Sequence, residues 1–141
     1  MIVNFYHLTA SPLERVLPIV CQGLVAKGER LLVVAGEEWL ARLDEQLWTY
    51  AADSFLPHGR ANPEAQPVLL SAGTEAANGA RCIALADGQW REEALGFERV
   101  YYFFDGSGLD EARALWRTLK GKPEVEPRYW KQVDGRWVEG P

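Results

Sequence analysis

The sequence is short of the residues that most reactions and most cofactors need. Its 141 residues include two histidines, His7 and His58, and two cysteines, Cys21 and Cys82. Neither cysteine belongs to a C-x-x-C pair, which removes the usual zinc and redox motifs. Cys21 falls in an apolar helical stretch and Cys82 in an apolar strand, so both read as buried, reduced thiols packing as small hydrophobes. No set of histidine, cysteine and carboxylate residues has ligand spacing, and no metal is expected. His7 stands at a strand end, where a general base can lie, but no Ser/His/Asp or Cys/His pattern surrounds it. It reads as structural. Asp44-Glu45, Glu92-Glu93 and Asp110-Glu111 are adjacent pairs whose members point apart on a helix, as solvated surface does. No apolar run approaches the roughly 20 residues of a membrane span. The first residues, Met1 to His7, lack the basic and apolar regions of a signal peptide. They read as a strand of a cytoplasmic protein with no membrane contact.

A glycine-rich phosphate loop is also missing. Such a loop follows a strand and opens a helix, so that backbone N–H groups meet the phosphate. After the first expected strand the chain reads Leu8-Thr9-Ala10-Ser11. After the second it reads Gly36-Glu37-Glu38, with two carboxylates where a phosphate would sit. Gly23 and Gly28 have P-loop spacing, but Glu29 stands in place of the lysine and the segment closes a helix. No nucleotide and no other cofactor is expected.

What is present is a core and an uneven charge. Apolar residues make up 48% of the chain, enough for one folded domain over residues 1–141. The net charge is −5. Residues 1–112 carry eight basic and sixteen acidic side chains, whereas residues 113–141 carry seven and four. A basic C-terminal quarter on an acidic body implies a local anion-binding surface.

Patterning supplies the elements. Ile2–His7 mixes β-branched and aromatic residues, as strands do. Ser11, Pro12 and Glu14 predict a capping box with Pro12 at the first helical position. Leu13, Val16, Leu17, Val20 and Leu24 follow at helical spacing. Pro18 predicts a kink, or a helix that begins there. Residues 31–35 (LLVVA) predict a parallel strand buried on both faces. Glu37–Trp48 predicts a helix with Trp39, Leu40, Leu43 and Leu47 on one face. Residues 53–59 read as a turn-rich loop, and residues 60–67 as irregular. Residues 68–70 and Cys82–Leu85 predict short strands around a loop at 73–79, and residues 89–95 a brief helix. Residues 100–104 (VYYFF) predict a strand, and Leu109–Lys120 a helix closed by Gly121 and Pro123. Residues 128–138 predict a hairpin turning at Asp134-Gly135. Strands alternating with helices predict an α/β, three-layer fold: a mostly parallel sheet with helices on both faces, and an antiparallel edge from the tail.

Two clusters bear on binding. On the Leu109–Lys120 helix, Leu109, Ala112, Trp116 and Leu119 share a face, with Arg113, Arg117 and Lys120 beside it. An aromatic ring beside guanidinium groups suits a ligand with an apolar side chain and a carboxylate. Spacing alone leaves a second reading open, in which Trp116 is core and the cations are a solvated face. Tryptophan is also abundant, six residues in 141, and it is enriched at binding hot spots. Trp48 precedes the loop Phe55-Leu56-Pro57-His58, which reads equally as a docking patch or a core plug. Tyr129, Trp130 and Trp137 read as cross-strand partners within the hairpin.

The stretch 31–58, LLVVAGEEWLARLDEQLWTYAADSFLPH, resembles the segment that marks the DNA polymerase III chi subunit family. An apolar strand and an acidic turn lead to R-L-D-E-x-L-W, here Arg42 to Trp48, and then S-F-x-P-H, here Ser54 to His58. Phe5-Tyr6-His7-Leu8, the strand 100–105, Ala112-Arg113 to Trp116-Arg117, and Tyr129-Trp130-Lys131 extend the likeness over nearly the whole chain. It is weakest over residues 60–95. The resemblance implies a mononucleotide-binding-like fold without a nucleotide site, and a non-catalytic replication adaptor. It implies capture of the acidic, phenylalanine-terminated C-terminal tail of single-stranded DNA-binding protein by Arg113, Trp116, Arg117 and Lys120 with Phe104 of the neighbouring strand. Trp116 and Arg117 replace a family tyrosine and lysine. It further implies contact with the psi subunit of the clamp loader, or an equivalent partner, through Trp48, Phe55, Pro57 and His58. DNA is then met only indirectly. The alternative reading is direct binding of single-stranded nucleic acid by the basic, aromatic tail, with bases stacked on Trp130 or Trp137.

Overall fold

A computed structural model describes residues 1–9, 12–48, 58–60, 62–133 and 136–140. Its centre is an eight-stranded sheet formed by β1 (Ile2–His7), β2 (Leu31–Val34), β3 (His58–Gly59), β4 (Val68–Ser71), β5 (Cys82–Leu85), β6 (Arg99–Phe104), β7 (Glu126–Val133) and β8 (Arg136–Gly140). The spatial order is β3-β4-β2-β5-β6-β1-β7-β8. Every pairing is parallel except β7 with β8. The helices are α1 (Leu13–Ala26), α2 (Glu37–Trp48) and α3 (Leu109–Lys120).

Both faces of the sheet are covered, which gives the expected three layers. On one face Leu17 and Cys21 of α1 and Leu40 and Leu43 of α2 pack on Leu31, Val33, Ala84 and Phe103. On the other, Ala112 and Leu119 of α3 pack with Val3, Phe5, Val100, Tyr102 and Phe104. All four residues of β2 are buried, as an interior parallel strand requires. In β6 the pleat sends Tyr101 and Phe103 to the first face and Val100, Tyr102 and Phe104 to the second. Burial of Cys21 pushes its thiol up to about 12, so it stays protonated and inert.

Several expectations are revised. Pro12 is the N-cap of α1, not its first helical residue, with no side-chain cap. Its carbonyl accepts from the Arg15 and Val16 N–H groups. Ser11 lies outside the described residues. α1 also runs through Pro18 as one helix and does not begin there. An interior proline costs about 3 kcal/mol. Against that, Leu13, Val16, Leu17, Cys21 and Leu24 are each at most 6% exposed, and burying each leucine or valine contributes roughly 1.5–3 kcal/mol.

Residues 58–59, read as the end of a loop, form β3 against Val68 and Leu69 of β4. The brief helix at 89–95 is a 3-10 turn, Glu92–Gly96. The poorly patterned segment before β5 is held by polar anchors. Buried Asn78 donates to the Leu31 and Gln66 carbonyls and accepts from the Ala80 N–H. Arg30 donates to the Glu64 and Asn78 carbonyls.

The tail forms the expected hairpin, with Val133 paired to Arg136; its turn, Asp134-Gly135, lies outside the described residues. β7 also joins β1 in parallel, Phe5 beside Tyr129 and His7 beside Lys131. Trp130 and Trp137 meet Tyr6 of β1, at ring-centroid distances of 6.3 and 4.9 Å. The Trp130 indole donates to Asn4 Oδ1 at 3.0 Å. The hairpin is thereby fastened to the sheet. No helix among the described residues is long and apolar enough to cross a membrane.

Candidate functional site

α3 crosses the sheet beside β1, β6 and β7, and its sequence decides which side chains face inward. Ala112 and Leu119 are buried, Trp116 is half-buried, and Arg113, Arg117 and Lys120 are exposed. Asp110 and Glu111 in the first turn and Arg117 and Lys120 in the last complement the helix dipole. Between α3 and β7 lies a groove of about 370 Å³ lined by Phe5, Phe104, Leu109, Ala112, Arg113, Trp116, Arg117, Tyr129 and Lys131. Its floor is apolar and aromatic. Its charged lining residues are all cations, two from α3 and one from β7.

The two readings of Trp116 merge here. Its ring meets Phe5 at 5.2 Å and Tyr129 at 6.5 Å, both edge-on, so one side is packed against the core. The rest borders the groove. Lys120 Nζ lies 5.4 Å from the Trp116 ring centroid, a cation–π contact that steadies the indole. Of the expected tail-binding residues, Phe104, Arg113, Trp116 and Arg117 line one groove, and Lys120 stands behind Trp116.

Sequence reasoning missed the opposite wall. Lys131 is visible in the sequence only as a letter of a motif, and Tyr129 as that and as a cross-strand partner within the hairpin. What places them is the parallel pairing of β7 with β1, a contact across more than a hundred residues. The Tyr129 hydroxyl lies 2.6 Å from His7 Nδ1; it donates to that nitrogen in the Nε2–H tautomer and accepts from it when Nδ1 carries the proton. His7 stacks on Phe104, with centroids 5.0 Å apart. Burial, then the Arg113 charge, lower the His7 pKa below its ordinary 6.5, with Asp105 opposing. Burial raises the Tyr129 hydroxyl, and Arg113 opposes that too.

The His7 shift has a definite sign. Below pH 6.5 the unfolded chain takes up this proton before the folded one does, so folding stability falls as the pH drops through that range. Urea midpoints should therefore decline between pH 7.5 and 5.5, and His7→Leu should flatten part of that decline. An identical decline in the variant would remove His7 as its source.

The second cluster is less complete. Trp48 ends α2, and Phe55 and Pro57 lie outside the described residues. The His58 side chain has 0% exposure, with Nε2 3.1 Å from Asp44 Oδ1 and 3.2 Å from the Asp44 carbonyl. It anchors β3 to α2 and offers no surface to a partner.

A larger cavity, about 590 Å³, opens outside the C-terminal ends of β1, β5 and β6, with Asp87, Asp105 and Glu111 in its lining. This is where α/β folds place ligands. Two of its carboxylates are already engaged. Asp87 accepts from Arg91 at 2.8 and 2.9 Å, from the Gly36 N–H at 2.8 Å and from the Gln89 N–H at 3.2 Å. Asp105 accepts from the Ser107 N–H and hydroxyl. The backbone donors after β2 and β6, which would meet a phosphate, are taken by the chain's own carboxylates. Among the described residues, no group of three or more His, Cys, Asp or Glu side chains could hold a metal ion.

The family model described as DNA polymerase III chi subunit, HolC, matches residues 1–123. No curated protein matches the chain.

Proposed function

The chain belongs to the DNA polymerase III chi subunit family, and on that premise we propose that it is a non-catalytic adaptor capturing the C-terminal tail of single-stranded DNA-binding protein. The family makes it an accessory subunit of the replicative polymerase. The observation that carries the finer reading is the groove between α3 and β7. Phe5, Phe104 and Trp116 offer an apolar, aromatic seat, and Arg113, Arg117 and Lys131 surround it with positive charge. A peptide ending in phenylalanine with a free carboxylate, preceded by aspartates, matches both halves of that chemistry. The ring enters the seat, and the carboxylate meets guanidinium donors in charge-assisted hydrogen bonds.

A second contact, with psi or an equivalent clamp-loader partner, is proposed at the end of α2 and the loop after it, through Trp48, Phe55 and Pro57. His58, the first residue of β3, is held against Asp44 of α2. Two modest contacts on one small domain tether a clamp loader to protein-coated single strands by effective concentration.

Intact single-stranded DNA-binding protein should bind the chain with micromolar-range affinity, measured by calorimetry, and a version lacking its acidic tail should not. Equal binding of both versions would overturn tail capture. The direct nucleic-acid reading is less well supported, because Trp130 and Trp137 both rest against Tyr6.

A further inference from the structure

We infer that the β7–β8 hairpin is a second subsite of the α3 groove, holding the acidic residues that precede the terminal residue of the bound peptide. The inference rests on the tail-capture reading and goes beyond it. The family match ends at residue 123, so the hairpin lies outside the matched stretch and its surface needs its own account.

Register assigns the faces. Phe5 points to the α3 side and pairs with Tyr129. Tyr129, Lys131 and Val133 therefore share that side, by strand alternation. Their antiparallel partners Val138, opposite Lys131, and Arg136, opposite Val133, share it too. The hairpin's α3-side face thus carries Lys131, Arg136, Val133 and Val138 together. Val133 is 43% exposed and Val138 41%, two of the three large exposed hydrophobic residues among those described. The third, Ile19, is on α1. Glu139 stands on the opposite face, across from Trp130.

Continuity and charge identify the occupant. Lys131 belongs to the groove lining, and Val133 and Arg136 lie farther out along the same strand pair. A peptide leaving the groove past Lys131 reaches Arg136 after roughly 7 Å, about two extended residues. The side chains beneath it are two valines flanked by cations. An acidic segment with an occasional apolar residue fits that surface, and a basic segment does not.

The test uses two peptides, both ending in phenylalanine with a free carboxylate: a tripeptide and an acidic decapeptide. Each is titrated into the wild type and into Arg136→Ser, Val138→Ser and Arg113→Ala. The hairpin variants should bind the decapeptide roughly three- to tenfold more weakly and the tripeptide within about twofold of wild type. Arg113→Ala should weaken both. Unchanged decapeptide affinity in both hairpin variants would overturn the second subsite and leave the groove standing. Failure of the wild type to bind either peptide would remove both. Sedimentation of the same samples should give monomers. A dimer that Val138→Ser dissociates without changing decapeptide affinity would assign the valines to a second copy of the chain, against the inference.

Discussion

Arg113→Ala is expected to weaken binding of an acidic, phenylalanine-terminated peptide by roughly tenfold to a hundredfold, with the fold intact. Hydrogen bonds to charged groups contribute about 1.5–3 kcal/mol each, and tenfold corresponds to about 1.4 kcal/mol. Arg113 is exposed, beside the buried face that carries Ala112 and Leu119, so its loss removes no buried core side chain. Arg113→Lys should recover only part of the affinity, since an ammonium cannot pair with a carboxylate through two fixed donors. Trp116→Ala should abolish measurable binding, with some loss of stability as well, because the indole packs on Phe5. Peptide anisotropy for affinity, with urea unfolding for stability, separates the two effects. Wild-type affinity in Arg113→Ala would move the carboxylate site elsewhere.

The largest effect on stability is expected at Phe103. It is 1% exposed and packs in the cluster beneath α1 and α2, with its ring stacked 5.3 Å from Tyr6. Phe103→Ala removes that surface and leaves a cavity, costing about 3–5 kcal/mol. For a domain of this size that lowers the thermal midpoint by about 10–17 °C. Phe103 faces away from the groove, whereas its neighbour Phe104 lines it. At a temperature where both variants remain folded, Phe103→Ala should bind peptide as the wild type does, and Phe104→Ala should not. A loss below 1 kcal/mol at Phe103 would contradict the packing described for that face.

Local pattern made much of the fold legible. The bounds of α2 and α3 follow directly from Leu40, Leu43 and Leu47, and from Ala112, Trp116 and Leu119, at helical spacing. β2 and β5 are short apolar runs bounded by glycine or charge. What stayed hidden depends on distant partners. β3 is two residues long and exists only because β4 lies alongside it. Pro18 marks a break in any local reading, yet the buried face of α1 outweighs it. The acidic residues near the strand ends also carried no sign of purpose. Only the folded chain brings Asp87 to the Gly36 N–H.

The candidate site divides in the same way. Its helical half, Arg113, Trp116 and Arg117, is a repeat on one face of α3 and could be read from spacing and resemblance. Its other half, Tyr129 and Lys131, depends on β7 pairing with β1 rather than closing a separate hairpin, and strand order is not written locally. The same pairing brings His7 to Tyr129. The resemblance grouped His58 with docking residues, whereas its burial against Asp44 gives it an anchoring role. A motif letter does not distinguish a contact residue from its support.

Central to the proposed function is a groove that takes a free C-terminal carboxylate together with an aromatic ring. Its most direct test is anisotropy titration of a labelled acidic peptide ending in phenylalanine, compared with the same peptide carrying a C-terminal amide. Micromolar-range binding of the free acid, weakened by salt and lost on amidation, is the predicted result. Equal affinity for acid and amide, or no binding of either by the folded protein, would contradict it.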